Sequence, residues 1–166
     1  LILKNLGYEV AGIVNTGEES VEFVKQNRPD LVLMDIMLSG EIDGIAAAEV
    51  IHKTLDVPII YLTAHSDEKS LERANLTGPY GYIVKPIKEH HLRTNIEVAL
   101  YKHSIDRKLR EYQHWVFTTL KSIADGVIAT NTECKITFMN YVAERLSGWQ
   151  QQETLGKSLD SVFIVR

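Results

Sequence analysis

Three polar residues of different chemistry stand where apolar, β-rich runs end. Asp35 closes Leu31-Val32-Leu33-Met34, Thr63 follows Pro58-Ile59-Ile60-Tyr61-Leu62, and Lys85 follows Tyr80-Gly81-Tyr82-Ile83-Val84. A carboxylate can act as a nucleophile toward phosphorus. A lysine ammonium holds an anionic phosphoryl oxygen as a point charge. A threonine hydroxyl donates a hydrogen bond to another oxygen. An aspartate after a buried strand is more often a loop or cap residue. An acid, a hydroxyl and an amine ending three consecutive strands form a constellation able to make and hold an acyl phosphate.

The elements that must position these residues alternate. Tyr8 to Val14 reads as a strand, Glu18 to Gln26 as a helix, Leu31 to Met34 as a strand and Ile45 to Thr54 as a helix. Pro58 to Leu62 is again a strand, with proline at its first position, where it costs little. Asp67 to Ala74 is a short helix, and the strand at Tyr80 to Val84 comes last. Strands that are apolar throughout, separated by helices, indicate a parallel sheet covered on both faces. The expected fold is a doubly wound α/β domain, with function gathered at the carboxyl ends of its strands.

The blocks Leu31 to Asp35, Ile60-Tyr61-Leu62-Thr63-Ala64 and Gly81-Tyr82-Ile83-Val84-Lys85-Pro86, with Asp43-Gly44 ahead of a helix, resemble the signature blocks of response-regulator receiver domains, which are flavodoxin-like. The resemblance covers about residues 1 to 101. It implies that Asp35 accepts a phosphoryl group from a sensor histidine kinase, that Thr63 binds a phosphoryl oxygen, and that Lys85 pairs with the aspartate and its phosphate. Tyr82 would be an aromatic switch; core packing is its plain alternative. Asp35 and the Met37 backbone carbonyl would be ligands of Mg2+, and the Lys85-Pro86 bond would be cis. Receivers begin with an apolar strand followed by an acidic pair that holds the metal. This sequence opens within a helical pattern, Leu1, Ile2, Leu3, Leu6, and no residue can be assigned to that pair. The first, central strand is therefore expected to be missing and the Asp35 site altered. Three outcomes are then open: the strand belongs to a longer parent protein, another chain supplies it, or the Tyr8–Val14 and Leu31–Met34 strands close together; a rearranged or intermolecularly completed sheet is the expectation.

From Lys88 to about Thr119 no residue breaks a helix, which as one rod would run for about 45 Å. Leu92, Ile96 and Ala99 mark the face that packs on the sheet. Beyond them Ile105, Leu109, Tyr112, Val116 and Leu120 form a narrow apolar seam among charges, resembling a coiled coil and implying a homodimer. A solvated helix docked on its own domain is the alternative. After Ser122, Gly126 to Thr130 and Lys135 to Met139 read as a hairpin turned at Asn131-Thr132-Glu133, and Tyr141 to Leu146 as a helix ended by Gly148. Ile123 to Ala129, Ile136 to Asn140, Ala143 to Trp149 and Leu155-Gly156-Lys157 resemble the first half of a PAS domain, an α+β module whose ligand cannot be read from this part. The expected organisation is a receiver over 1–101, a linker helix over 102–121 and the start of a PAS domain over 122–166.

The balance of the chain narrows the function. A net charge of −4 over 166 residues offers no electrostatic footprint for nucleic acid. No apolar run is long enough to span a bilayer, and no signal peptide is evident. The single cysteine, Cys134, has no internal disulfide partner, which suits a reducing cytoplasm. His114 lies on a helix without the surroundings of a phospho-accepting histidine. The leading expectation is phosphorelay signalling, with a receiver coupled to a PAS sensor. A pseudo-receiver scaffold that takes no phosphate and a fragment of a hybrid histidine kinase are the rivals. No catalytic domain is present in these residues, so enzyme activity stays open. A flavin-binding α/β domain is weaker, because no phosphate-cradling glycine loop follows Tyr8–Val14.

Overall fold

The structure, a computed structural model, describes residues 2–64 and 68–162, without the side chains of 68–71. It divides into two compact units, Leu1–Arg107 and Lys108–Arg166. In the first unit the helices are α1 (Ile2–Asn5), α2 (Gly17–Asn27), α3 (Gly44–Thr54) and α4 (Glu68–Asn75). The strands are β1 (Val32–Asp35), β2 (Ile59–Thr63) and β3 (Gly81–Val84). They form one parallel sheet in the order β1-β2-β3. Helix α5 (Glu89–Ser122) contributes to both units.

The period-two alternation of the strands sorts the core into two layers. Met34, Ile59 and Tyr61 face a cluster completed by Val21 and Val24 of α2 and Ile45, Ala48 and Ile51 of α3. Ile60 and Ile83 face Leu92, Ile96 and Ala99 of α5, the three residues whose spacing predicts that face. Leu3, Leu6 and Tyr8 pack against this second cluster. The helices start where the sequence supplies caps. Thr16 accepts a hydrogen bond from the Glu19 amide at 3.2 Å, and Asp43 accepts one from the Ala46 amide at 2.8 Å.

The strand expected at Tyr8–Val14 does not form. No ladder pairs it with any described residue, and Ile13 is largely exposed. A strand persists through its neighbour's backbone groups. The residues before Tyr8 supply a helix instead of the neighbour that would lie between this segment and β1. Nor do the two segments close together: β1 pairs with β2 and with no other described strand. The helix expected at Asp67–Ala74 is observed from Glu68, Asp67 lying outside the described residues.

The second unit holds the end of α5, the antiparallel hairpin β4 (Ile128–Thr130) and β5 (Ile136–Met139), and helices α6 (Tyr141–Ser147), α7 (Gln151–Thr154) and α8 (Leu159–Val162). Gly148 ends α6 in the left-handed region, at φ 77°, where glycine meets no Cβ penalty. The seam residues Ile105, Leu109 and Tyr112, expected to be buried against a second copy of the helix, are exposed in the single chain, while Val116 and Leu120 are half-buried.

Candidate functional site

The ladder register brings the strand ends to one edge. Asp35 stands beside Leu62, Thr63 beside Val84, and the Lys85 amide donates to the Thr63 carbonyl at 2.9 Å. With parallel strands about 4.8 Å apart, Asp35 and Lys85 lie across the end of β2 from each other. Their side chains meet: the Lys85 Nζ donates to Asp35 Oδ2. The second carboxylate oxygen, Oδ1, accepts the Met37 amide at 3.1 Å. The two side chains remain 31% and 42% exposed, so both can be reached from solvent. The Lys85-Pro86 bond is cis.

Thr63 is buried at the end of the strand between them, and its hydroxyl donates to the Ala64 carbonyl at 3.0 Å. The hydroxyl must rotate to serve an oxygen bound at Asp35. Tyr82, partly buried on the neighbouring strand, packs beside Tyr61. Its ring stacks on Tyr61 with centroids 5.8 Å apart, and its hydroxyl donates to Asn75 Oδ1 at 2.9 Å. Tyr61 shares a hydrogen bond of 2.9 Å with Thr77. Burial pushes both phenols above the ordinary tyrosine range. The end of α4 and the turn after it are thus tied to the sheet through two tyrosines, and Arg73 adds an ion pair of 3.0 Å with Asp43.

The loop between β1 and α3 is shaped by Gly44. Its amide donates to the Ile36 carbonyl at 3.1 Å, and a Cβ at this position would run into the Asp35 carbonyl oxygen. Only glycine lets the start of α3 lie against the backbone of the acid. The Asp43-Gly44 pair therefore has a mechanical reason: a cap for the helix, then no side chain.

A hard divalent cation takes oxygen ligands, and Mg2+ commonly keeps several waters beside one or two carboxylates. Asp35 and the carbonyl of Met37, two residues further along the chain, are oxygen donors of this kind, and the Met37 amide donates to Asp35 Oδ1 at 3.1 Å. Among the described residues no group of three or more His, Cys, Asp or Glu side chains could hold a metal. Asp35 and the Met37 carbonyl would supply such an ion with oxygen donors, short of a full ligand set.

One residue that touches this loop carries no motif. Glu18, in the first turn of α2, accepts hydrogen bonds from the amides of Glu41 at 2.6 Å and Ile42 at 2.9 Å. A contact across 23 residues leaves no local spacing to detect.

Residues 1–97 match the response regulator receiver domain family, and residues 116–164 match the PAS fold. The transcriptional regulatory protein PdtaR of Mycobacterium tuberculosis is 39% identical over 99 residues, covering 60% of this chain and 48% of the relative. The transcriptional regulatory protein ZraR of Escherichia coli is 37% identical over 108 residues, covering 63% and 24%. The chain spans less than half the length of these curated relatives. Among solved structures, the signal receiver domain of a modulated diguanylate cyclase from Desulfovibrio desulfuricans, described as an example of alternate folding, aligns with TM-score 0.61 at 37% identity, covering 63% of this chain and 83% of that one. The N-terminal domain of a response regulator/sensory box/GGDEF protein from Carboxydothermus hydrogenoformans aligns with TM-score 0.58 at 38% identity, covering 63% and 84%.

Proposed function

We propose, from the premise that this chain belongs to the response regulator receiver domain family and continues into a PAS fold, that it works in phosphorelay signalling by accepting a phosphoryl group on Asp35. The observation that supports this most is the Asp35–Lys85 pair at the carboxyl edge of the sheet, open to solvent and with Thr63 ending the strand between. A carboxylate oxygen of Asp35 attacks phosphorus. The bond from phosphorus to the donor breaks, and its electron pair leaves with the donor, an imidazole when the donor is a kinase phosphohistidine. Lys85 then holds one phosphoryl oxygen by charge, and the Thr63 hydroxyl turns from Ala64 to donate to another. Tyr82 would track that turn as a switch, its ring stacked on Tyr61 and its hydroxyl bonded to Asn75 at the end of α4. Asp35 and the Met37 carbonyl would hold Mg2+, which would supply charge neutralisation at the phosphoryl oxygens.

The partners follow from this chemistry. A sensor histidine kinase supplies the phosphoryl group, in the cytoplasm, and no nucleic-acid partner is implied. No helix among the described residues is long and apolar enough to cross a membrane. The organisation we infer is a receiver over 1–101, a linker helix over 102–121 and a PAS module from 122. Two copies pair through the linker seam. Ile105 and Leu109 are exposed, and in the second unit Tyr112, Gln113, Val116, Phe117, Leu120 and Phe138 line a groove of about 340 Å³. Burying each aliphatic side chain there contributes roughly 1.5–3 kcal/mol, so charged residues at Leu109 and Val116 should lower the mass seen by light scattering.

Asp35→Asn in the intact protein tests the central claim. An amide is not a competent nucleophile, so incorporation from acetyl phosphate or a kinase should disappear. Acid-labile phosphate at the unsubstituted level in that variant would exclude Asp35 as the acceptor. A pseudo-receiver scaffold is separated by the same assay, since it takes no phosphate before substitution either.

A further inference from the structure

The β1–α3 loop is fixed at its two ends by its own backbone. Ile36 donates to the Leu62 carbonyl at 3.2 Å, Met37 to Asp35 Oδ1 at 3.1 Å, and Gly44 to the Ile36 carbonyl at 3.1 Å. Its middle, Ser39 to Ile42, is held from outside. Thr16 bridges to Ser39, and the Glu18 carboxylate binds two successive loop amides, those of Glu41 and Ile42, through the same oxygen. The Met37 side chain is 75% exposed, whereas Ile36 before it is buried and Leu38 and Ile42 after it pack on the core. The path of the Met37 carbonyl is set by these core anchors together with the ties from Thr16 and Glu18.

We propose that Glu18 is a positioning residue of the Asp35 site, its carboxylate clamping the β1–α3 loop so that the Met37 carbonyl is held in place relative to Asp35. The inference rests on the reading of Asp35 and Met37 given above. Three further features of the sequence suit the clamp. Gly40 sits at φ 116°, and a Cβ there would strike Glu18 Oε2, so glycine makes room for the carboxylate. Gly17 likewise lets the start of α2 lie on Ile42, where a Cβ would meet the Ile42 carbonyl. Glu19, one residue on, turns elsewhere and accepts the Asn15 amide at 3.3 Å, so the arrangement is particular to Glu18. Bonds from backbone amides to an ionised acceptor are about twice as strong as neutral ones. Hydrogen bonds from its own amide first, then from Ile42 and Glu41, hold the Glu18 carboxyl below the usual range. It is therefore ionised at neutral pH.

The test uses the intact, 15N-labelled protein with MgCl2 as the probe. Amide shifts of Asp35 to Met37 give the Mg2+ half-saturation, and hydrogen exchange at Glu41 and Ile42 reports the clamp. Glu18→Gln should raise the half-saturation by about 10-fold, the lower end for a group that orients a metal ligand from behind, and speed exchange at Glu41 and Ile42. Glu18→Asp should restore part of the loss, because the charge is kept. Glu19→Gln should leave the half-saturation unchanged. A Glu18→Gln protein that binds Mg2+ like the unsubstituted one overturns the proposal, and so does an equal loss in Glu19→Gln. If the unsubstituted protein shows no Mg2+-dependent shift at Asp35, the reading of the site fails and this inference with it. Phosphate acceptance by Asp35 with an inert Glu18 removes this inference alone.

Discussion

The two units treat their key polar side chains in opposite ways. In the first, Asp35 and Lys85 lie open at a strand edge with one another as principal partners, and the Thr63 hydroxyl donates to the next carbonyl. In the second, Asn140 is 1% exposed and saturated. Its Nδ2 donates to the carbonyls of Leu120 at 3.2 Å and Asp125 at 2.8 Å, and its Oδ1 accepts the amides of Val127 and Ala143, each at 2.9 Å. An amide side chain offers two donors and one acceptor oxygen, and here all are used. A buried polar group with every bond made specifies a structure. A half-exposed one with bonding capacity left over is available to a ligand. The difference separates architecture from chemistry without reference to either motif.

If that distinction holds, the largest stability loss comes from the second unit. Asn140→Ala leaves the buried Ala143 amide and three partly buried backbone groups unpaired; a buried group so left costs about 1–3 kcal/mol and partly buried ones less, so a total of roughly 3–4 kcal/mol is expected. Both tryptophans, Trp115 and Trp149, lie in this unit, so their fluorescence in a urea titration reads it directly. A midpoint unmoved by the substitution would break the comparison. Gly44→Ala comes next: forcing a methyl group against the Asp35 backbone should cost about 1–3 kcal/mol, seen in the first unit's thermal transition, and displace the acid enough to lower phosphoryl acceptance. Lys85→Ala should be the mildest in stability, within about 1 kcal/mol, because its ion pair is exposed. Its phosphate acceptance should nonetheless fall sharply. A large stability loss on removing Lys85, with acceptance intact, would place that pair with the architecture.

Much of the site was legible because strand ends are. Asp35, Thr63 and Lys85 each terminate an apolar run that β-structure requires, and the register does the rest. The period of α5 was readable for the same reason, since Leu92, Ile96 and Ala99 recur at helical spacing. Tyr8–Val14 was misread because composition describes what a residue tolerates, whereas a strand also needs a neighbour. The seam on α5 was read as buried against a second copy, and in one chain by itself Ile105, Leu109 and Tyr112 are exposed, as that reading requires. Glu18 stayed invisible: its partners are backbone amides 23 and 24 residues away, and amides carry no side-chain identity. The role of Asn140 was hidden likewise, since three of its four bonds reach elements distant along the chain.

Asn140 also has a consequence under load. The β4–β5 hairpin can open one cross-strand pair at a time, so a pull at its ends meets a low, sequential resistance. The four bonds of Asn140 join the carbonyls of Leu120 and Asp125 and the amides of Val127 and Ala143 at one side chain. A pull along the end of α5 loads several of them at once. Bonds strained in parallel must yield nearly together, so this single residue sets a rupture force for the second unit that the short hairpin alone would not supply.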